Sequence, residues 1–255
     1  MRISVVTVCF NAASTVADAV QSVLDQVPKP DAPFELEYIV VDGKSTDGTL
    51  DALAPFRDRI TTLISEPDRG LYDAMNKGIK AATGDVVAIL NADDVYATTD
   101  VLAHVATTFR ESGAEAVYGD LHYVDAHDLT QVVRRWRSGA FRPGAFRQGW
   151  MPPHPALFVK RTCYERWGLF TMALQSAADY ELMVRFIHRH SMSLAYLPET
   201  LVLMRTGGVS NASWIHRLRA HREDWQAWRM NGYTPSLFTL LAKPLRKLPQ
   251  FLSRG

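Results

Sequence analysis

The sequence predicts an α/β protein on a Rossmann-like, doubly wound, mostly parallel sheet with helices on both faces. Three observations carry this reading. Short apolar runs alternate with helix-patterned stretches at the spacing that parallel crossover units need. Aspartate-bearing polar segments follow the second and fourth runs. The fourth run ends in Asn91-Ala92-Asp93-Asp94, at the carboxyl end of a strand, where open α/β sheets bind their ligands.

Taken in order, residues 2–10 form a buried strand. The run is stopped by Asn11 and has only Arg2 ahead of it, so it is not a signal core. Residues 13–25 form a helix, 37–41 a strand, 49–56 a helix, 60–65 a strand, 71–82 a helix and 86–90 a strand. The alternation fades after about residue 120. Residues 122–125 and 131–136 read as a hairpin, and 138–155, rich in Gly, Pro and Arg, as a long loop of the kind that serves function or moves. A helix over 179–190, a strand over 201–205 and a polar helix over 214–230 complete the chain before a basic tail.

Composition narrows the classes. The chain has 255 residues, 47% of them hydrophobic, enough for one large domain or a domain with an appendage. No apolar stretch approaches the roughly 18 residues of a membrane span, so a cytoplasmic protein is expected. Cys9 and Cys163 are too far apart and too few to imply a disulfide framework or a zinc site. A net charge of +1 argues against a general nucleic-acid binder. After Asp224, however, the chain carries Arg229, Lys243, Arg246, Lys247 and Arg254 and no acidic residue.

Several constellations carry chemistry. Gly43-Lys44-Ser45-Thr46 imitates the end of a phosphate-binding P-loop, but the first glycine of that motif would fall on Tyr38, inside a strand. The better reading gives the function to Asp42, a strand-end carboxylate able to accept a hydrogen bond from a nucleobase edge. Thr7, Phe10 and Asn11 end the neighbouring strand, so a nucleoside would lie over that backbone; Asn11 could equally cap the next helix. Asp68 and Arg69 would touch base or ribose, with Asp73 and Asn76 shaping the pocket. The ordinary alternative there is an Asp73–Lys77 ion pair on a solvated helix face.

Asp93 and Asp94 are the sharpest feature. Two adjacent carboxylates at an apolar strand end need a counter-charge, and a hard divalent cation, Mg²⁺ or Mn²⁺, is the simplest one. Asp94 is the expected ligand, with Asp93 and His154 as further candidates. His154, framed by Pro153 and Pro155, could also touch an acceptor or simply pack in its loop. Asp179 starts a helix, where an acidic residue is favoured by the dipole. Beside a nucleotide pocket it is also a natural general base for an acceptor hydroxyl.

Thr7-Val8-Cys9-Phe10-Asn11, Val40-Val41-Asp42-Gly43 with Ser45-Thr46-Asp47-Gly48-Thr49, the 66–78 segment Glu-Pro-Asp-Arg-Gly-Leu-Tyr-Asp-Ala-Met-Asn-Lys-Gly, and Leu90-Asn91-Ala92-Asp93-Asp94 together resemble the bacterial family 2 glycosyltransferases of the GT-A fold. The match is specific over roughly the first hundred residues. The resemblance implies that Asp42 contacts the base, that Asp93 and Asp94 meet ribose and metal, and that Asp179 deprotonates the acceptor during inversion at the anomeric carbon. Two residues depart from the pattern: Ala178 stands where Glu often precedes the base, and Lys44 replaces a small residue. The Gln-x-x-Arg-Trp signature of processive synthases is absent. His154, Arg205 and Gly207-Gly208-Val209-Ser210 resemble the exopolysaccharide and O-antigen branch, whose members elongate lipid-linked sugars; Arg205 is thereby a candidate for acceptor or diphosphate.

On this reading residues 1–120 are the nucleotide-sugar-binding half and 121–212 the acceptor-binding and catalytic half of the same domain. Residues 213–255 form a helical, basic, amphipathic extension. The expected activity is inverting transfer of one sugar from a nucleotide-diphosphate sugar to a lipid-linked saccharide or glycolipid, with a divalent metal, in cell-surface polysaccharide biosynthesis. A nucleotidyltransferase is the enzymatic alternative, although Asn11-Ala12-Ala13-Ser14 is not its Gly-rich basic loop. A sugar-nucleotide-binding protein without turnover is the alternative from another class. The tail leucines and phenylalanines from Leu237 to Leu252, interleaved with Lys243, Arg246, Lys247 and Arg254, would hold the enzyme on the inner face of the cytoplasmic membrane. Otherwise they would pack against the domain or a second subunit.

Overall fold

The computed structural model describes residues 1–207, 214–236 and 239, with 214–221 as backbone alone. The first half follows the strand–helix order that the apolar runs predict: β1 (Arg2–Cys9), α1 (Val16–Leu24), β2 (Glu35–Asp42), α2 (Thr49–Leu53), β3 (Thr62–Ser65), α3 (Leu71–Ala81) and β4 (Val86–Asn91). Then come β5 (Asp94–Tyr96), α4 (Val101–Ser112), β6 (Ala116–Val124), β7 (Val132–Trp136), β8 (Leu157–Lys160), α5 (Arg161–Trp167), α6 (Ala178–Met183), β9 (Leu194–Arg205) and α7 (Trp214–Met230). The helix expected over 179–190 widens to a π-helical stretch at Val184–Arg189.

The nine strands form one curled sheet in the order β3-β2-β1-β4-β8-β6-β9-β5, with β7 on β6. β3, β2, β1 and β4 run parallel. β8 then joins β4 to β6 by antiparallel pairing, β9 lies parallel to β6, and β5 is antiparallel to β9. The expected hairpin exists as β6 and β7, with Tyr123 opposite Arg134. β6 begins at Ala116, and β5 and β8 arise where the apolar pattern marks no strand.

Both faces of the sheet are covered, because successive side chains of a strand point to opposite sides. Val6 and Val8 of β1 join Tyr72, Met75 and Ile79 of α3, together with α6 and α7, in one core. Ile3, Val5 and Cys9 face the other way, onto Val16, Val20 and Val23 of α1 and the buried face of α4. α1 buries residues 16, 19, 20 and 23, the 3.6-residue stripe of a sheet-packed helix. α3 approaches β1 so closely that a Cβ on Gly78 would lie 2.1 Å from Val6 Cγ1, so only glycine admits this contact.

Cys9 and Cys163 are free and buried. Among the described residues no helix is long and apolar enough to cross a membrane. The tail from Leu237 onward, except Thr239, and the 208–210 part of the glycine motif lie outside the described residues. The register sets the site: Cys9 is level with Asp42, Asp42 with Ser65 and Val8 with Asn91, so the ends of four parallel strands open on one edge.

Candidate active site

Two loops build the first wall. Asn11 adopts a left-handed φ of 50°, donates its N–H to Ser45 Oγ (2.8 Å) and accepts Thr46 N–H on Oδ1 (3.0 Å). Ala12 N–H reaches Thr49 Oγ1 (2.8 Å) and Ala13 N–H reaches Asp47 Oδ2 (3.1 Å). Asn11 is therefore a bridge between loops rather than the cap of α1, whose N-cap is Thr15. Asp42 is fully buried, and its carboxylate accepts Ser45 Oγ (2.5 Å) and Ser65 Oγ (2.6 Å). Its structural work is to fix this loop.

Above the loop lies a surface suited to a flat ligand. The Phe10 ring is 63% exposed. A Cβ on Gly43 would lie 2.4 Å from Asp68 Oδ2 and 3.2 Å from Phe10 Cδ2, so an exposed ring, a carboxylate and bare backbone converge. A ring face stacks on a base whatever its identity, and a carboxylate accepts amide or hydroxyl protons. Thr7, expected at the donor, is instead fully buried and accepts a hydrogen bond from Tyr38 Oη (3.0 Å); its side chain supports the strand end from beneath.

The 66–78 segment pairs its charges differently from the expected Asp73–Lys77 pair. Asp73 pairs with Arg69 (3.0 Å), whose side chain is exposed, while Lys77 pairs with Glu66 (2.9 Å). The Asp73–Lys77 ion pair is thus replaced by two pairs directed back at the preceding loop. Arg69's hydrogen bonds are the main reason the Asp73 carboxyl sits below the usual range. Asn76, expected to shape the donor pocket, is 7% exposed and spends its amide on Phe170, donating to its carbonyl and accepting its N–H, each at 2.9 Å.

The second wall is acidic. Asp94 is fully buried; its Oδ2 accepts Asn91 Nδ2 (3.2 Å), and among the described residues neither its Oδ1 nor the buried Asn91 Oδ1 has a hydrogen-bond partner. Burial, and then the neighbouring charge of Asp93, push the Asp94 carboxyl well above the usual carboxylate range. Burial raises Asp93 too, with Arg205 pulling against it. Arg205, a candidate for acceptor or diphosphate, is itself 8% exposed and donates to the Asp93 carbonyl (3.0 Å) and to Asp18 Oδ2 (2.5 Å). It clamps the Asp93 loop onto α1.

Buried, unpartnered oxygens beside a second carboxylate are a donor set that fits a hard cation. Among the described residues no group of three or more His, Cys, Asp or Glu side chains is arranged around a metal, so His154 does not join Asp93 and Asp94 as a third ligand. It packs edge-on against Phe170 (5.4 Å between centroids), and its burial holds the imidazole pKa below the usual value, against the opposing charge of Asp179. A Mg²⁺- or Mn²⁺-type ion needs no third protein ligand, because it commonly binds through one or two carboxylates plus substrate phosphates and water.

The third wall carries Asp179, the second residue of α6 and partly exposed. Tyr72 Oη donates to Asp179 Oδ1 (3.1 Å), and burial above all keeps that phenol protonated. The Tyr72 ring stacks on Phe170 at 5.5 Å, the residue that Asn76 holds. Burial raises the phenol of Tyr123 on β6, Arg134 pulls against it, and the Asp94 and Asp179 charges add smaller upward pushes. The Arg134 guanidinium lies 3.7 Å over the Tyr123 ring.

Residues 4–190 match the family model described as "Glycosyl transferase family 2". The chain belongs to this family. A "PGL/p-HBAD biosynthesis glycosyltransferase" of Mycobacterium bovis is 30% identical over 182 residues, 69% of this chain and 68% of that protein. An uncharacterized glycosyltransferase of Mycobacterium tuberculosis is 29% identical over 184 residues, 72% of this chain and 68% of that protein. S. aureus TarS 1-349 in complex with UDP-GlcNAc superposes with a TM-score of 0.65 at 16% identity, covering 91% of this chain and 65% of that one. In another TarS structure the chain spans only 39% of its counterpart. Mannosyltransferase PcManGT from Pyrobaculum calidifontis, in complex with GDP-Man and Mn²⁺, superposes with a TM-score of 0.66 at 21% identity, covering 98% and 73%. These likenesses show the GT-A fold.

For this family 2 glycosyltransferase, Asp42, Asp93 and Asp94 fall at or just after the carboxyl ends of β2 and β4, whereas Asn76, His154 and Arg205 meet partners within the chain. Tyr72 and Tyr123 are the residues that sequence reasoning omits from the site. Tyr72 lies inside the 66–78 motif, where a tyrosine among acidic residues on an apolar helix face is a usable signal. Tyr123 carries no local signal, since only the pairing of β6 with β9 brings it near Asp94.

Proposed function

We propose that the protein is an inverting, divalent-metal-dependent glycosyltransferase. It would move one sugar from a nucleotide-diphosphate sugar to an acceptor hydroxyl on a lipid-linked saccharide or glycolipid, at the inner surface of the cytoplasmic membrane. The observation that supports this reading is the Asp93–Asp94 pair after β4, where the buried Asp94 Oδ1 has no hydrogen-bond partner among the described residues, together with Asp179, whose Oδ1 accepts Tyr72 Oη. The first would serve the leaving group and the second the acceptor of a single in-line displacement.

Phe10 and Asp68 would hold the nucleoside, the ring by stacking and the carboxylate by accepting base or ribose protons. Asp94 and Asp93 would hold the cation, which supplies charge neutralisation to the departing diphosphate. Asp179 Oδ2 takes the acceptor's hydroxyl proton while Tyr72 holds Oδ1. The acceptor oxygen bonds to the anomeric carbon as the carbon–oxygen bond to the diphosphate breaks, which inverts that centre and releases the nucleoside diphosphate. GDP-Man and UDP-GlcNAc, bound in the structural neighbours, make a guanosine or uridine diphosphate sugar the first donors to try.

The test is nucleoside diphosphate release from uridine, guanosine and thymidine diphosphate sugars, with Mn²⁺, with EDTA, and with and without a polyprenyl-diphosphate saccharide. Metal-dependent release stimulated by the lipid acceptor, with an inverted anomeric centre in the product, is expected. Full activity in EDTA would overturn the metal, a retained configuration would overturn inversion, and indifference to the lipid would overturn the acceptor.

A further inference from the structure

The family match ends at residue 190, yet the segment that carries Asp179 is gripped from beyond it. α6 runs on into the π-helical stretch at Val184–Arg189, and Asp179 lies in its first turn, behind an N-cap, Ala177, that makes no side-chain cap. In the turn that leads into it, the backbone N–H groups of Ser176 and Ala177 both donate to one oxygen, Glu223 Oε2 of α7, at 2.7 and 3.0 Å. Glu223 is 7% exposed. One turn further along α7, Trp228 Nε1 donates to Tyr180 Oη (2.9 Å). Asn231, just past the helix, donates to Glu181 Oε1 (3.0 Å). The contacts fall before Asp179 and on the two residues after it, so the backbone of Asp179 is fixed from both sides.

We infer that Glu223 is a positioning residue for glycosyl transfer: by binding the 176 and 177 amides it aims the Asp179 carboxylate at Tyr72 and the acceptor. The helix after the family-matched region is then part of the reaction machinery. The inference rests on Asp179 being the base. Hydrogen bonds to an ionised acceptor are the strong ones, and displacement of a reacting group by about 1 Å is enough to cost about a hundredfold in rate.

The experiment compares Glu223→Ala, Glu223→Asp and Glu223→Gln in the full chain, measuring kcat, donor KM and donor affinity with Mn²⁺ present. Ala, which lacks the acceptor, and Asp, which keeps the charge but falls one methylene short, are expected to lower kcat about ten- to a hundredfold, with donor KM and affinity within about twofold of the parent. Gln keeps one carbonyl oxygen for both amides and recovers most of the loss. In an Asp179→Asn background, Glu223→Ala should add less than about twofold, because the residue it acts through is already disabled. A Glu223→Asp enzyme with parental kcat, a loss of donor affinity in step with kcat, or an additive double variant would overturn the inference; if Glu223→Ala does not fold, the Asp variant alone decides. A fully active Asp179→Asn enzyme would overturn the base assignment underneath it, whereas an inactive one beside a fully active Glu223→Asp overturns only the role of Glu223.

Discussion

Tyr72 Oη donates a 3.1 Å hydrogen bond to Asp179 Oδ1, joining the helix after β3 to a helix 107 residues later. The bond holds one carboxylate oxygen in place and leaves the second for an acceptor hydroxyl. It also explains why Asn76 is spent on Phe170: the amide fixes the ring on which Tyr72 stacks.

Asp179→Asn is expected to leave donor affinity nearly unchanged and to lower turnover by roughly a hundredfold or more, because an amide cannot take the acceptor proton. Tyr72→Phe keeps the stacked ring and removes one hydrogen bond, so its loss should be smaller, about tenfold. Steady-state kinetics with isothermal titration of the donor checks both. Equal losses of affinity and turnover in Asp179→Asn would mean that the residue is structural.

Asp94→Asn should abolish metal-dependent donor binding and lower transfer on the order of a thousandfold or more. The readout that does not depend on activity is thermal: Mn²⁺ should raise the Tm of the parent and leave that of the variant unmoved. A variant still stabilised by Mn²⁺ would place the cation elsewhere.

Phe10→Ala should weaken donor binding without touching chemistry. Stacking of a base on an aromatic ring is worth about 1–3 kcal/mol, which corresponds to roughly five- to a hundredfold in Kd. At saturating donor, kcat should stay within about twofold of the parent. Unchanged donor affinity would remove the nucleoside from this ring.

Asp100 gives a pH-dependent prediction away from the site. Its hydrogen bond from Lys29 (2.8 Å), then that from Thr98, pull its pKa from the ordinary 3.8 down to about 2. The folded value lies below the unfolded one, so the stabilisation is present above about pH 4 and is lost as the pH falls toward 2. The unscreened linkage would be about 2.4 kcal/mol, and solvent screening at this one-third-exposed pair reduces it to about 1 kcal/mol. Asp100→Asn should therefore be about 1 kcal/mol less stable at pH 7 in urea unfolding, with the gap to the parent narrowing below pH 4. A gap independent of pH would point to lost packing instead.

The parallel half of the sheet is legible in the sequence because each buried strand is an apolar run and each strand end is marked by Asn11, Asp42 or Asn91. What the sequence hides is long-range. β5 is three residues long and has no periodicity to detect; its identity comes from pairing with β9, Asp94 opposite Met204. Polarity on α3 suggests that Asn76 shapes the pocket, but it cannot say that its partner is the Phe170 backbone. Arg205 follows the same rule: the resemblance offers it to an acceptor or diphosphate, and the anion it meets within the chain is Asp18, 187 positions away. Local pattern thus gives the floor of the site, while tertiary pairing decides which polar groups remain free to bind.

The clamp of Arg205 on the Asp93 carbonyl and the pairing of β5 with β9 also set an order of events during synthesis. A nascent chain that has cleared the ribosome only to residue 120 holds the loops around Phe10 and Asp42, but it has neither the strand that registers Asp94 nor the cation that tethers Asp93. The acidic wall can form only after about eighty further residues emerge, and closing contacts across such separations is the slow part of folding. Until then Asp93 and Asp94 have no assembled enclosure around them.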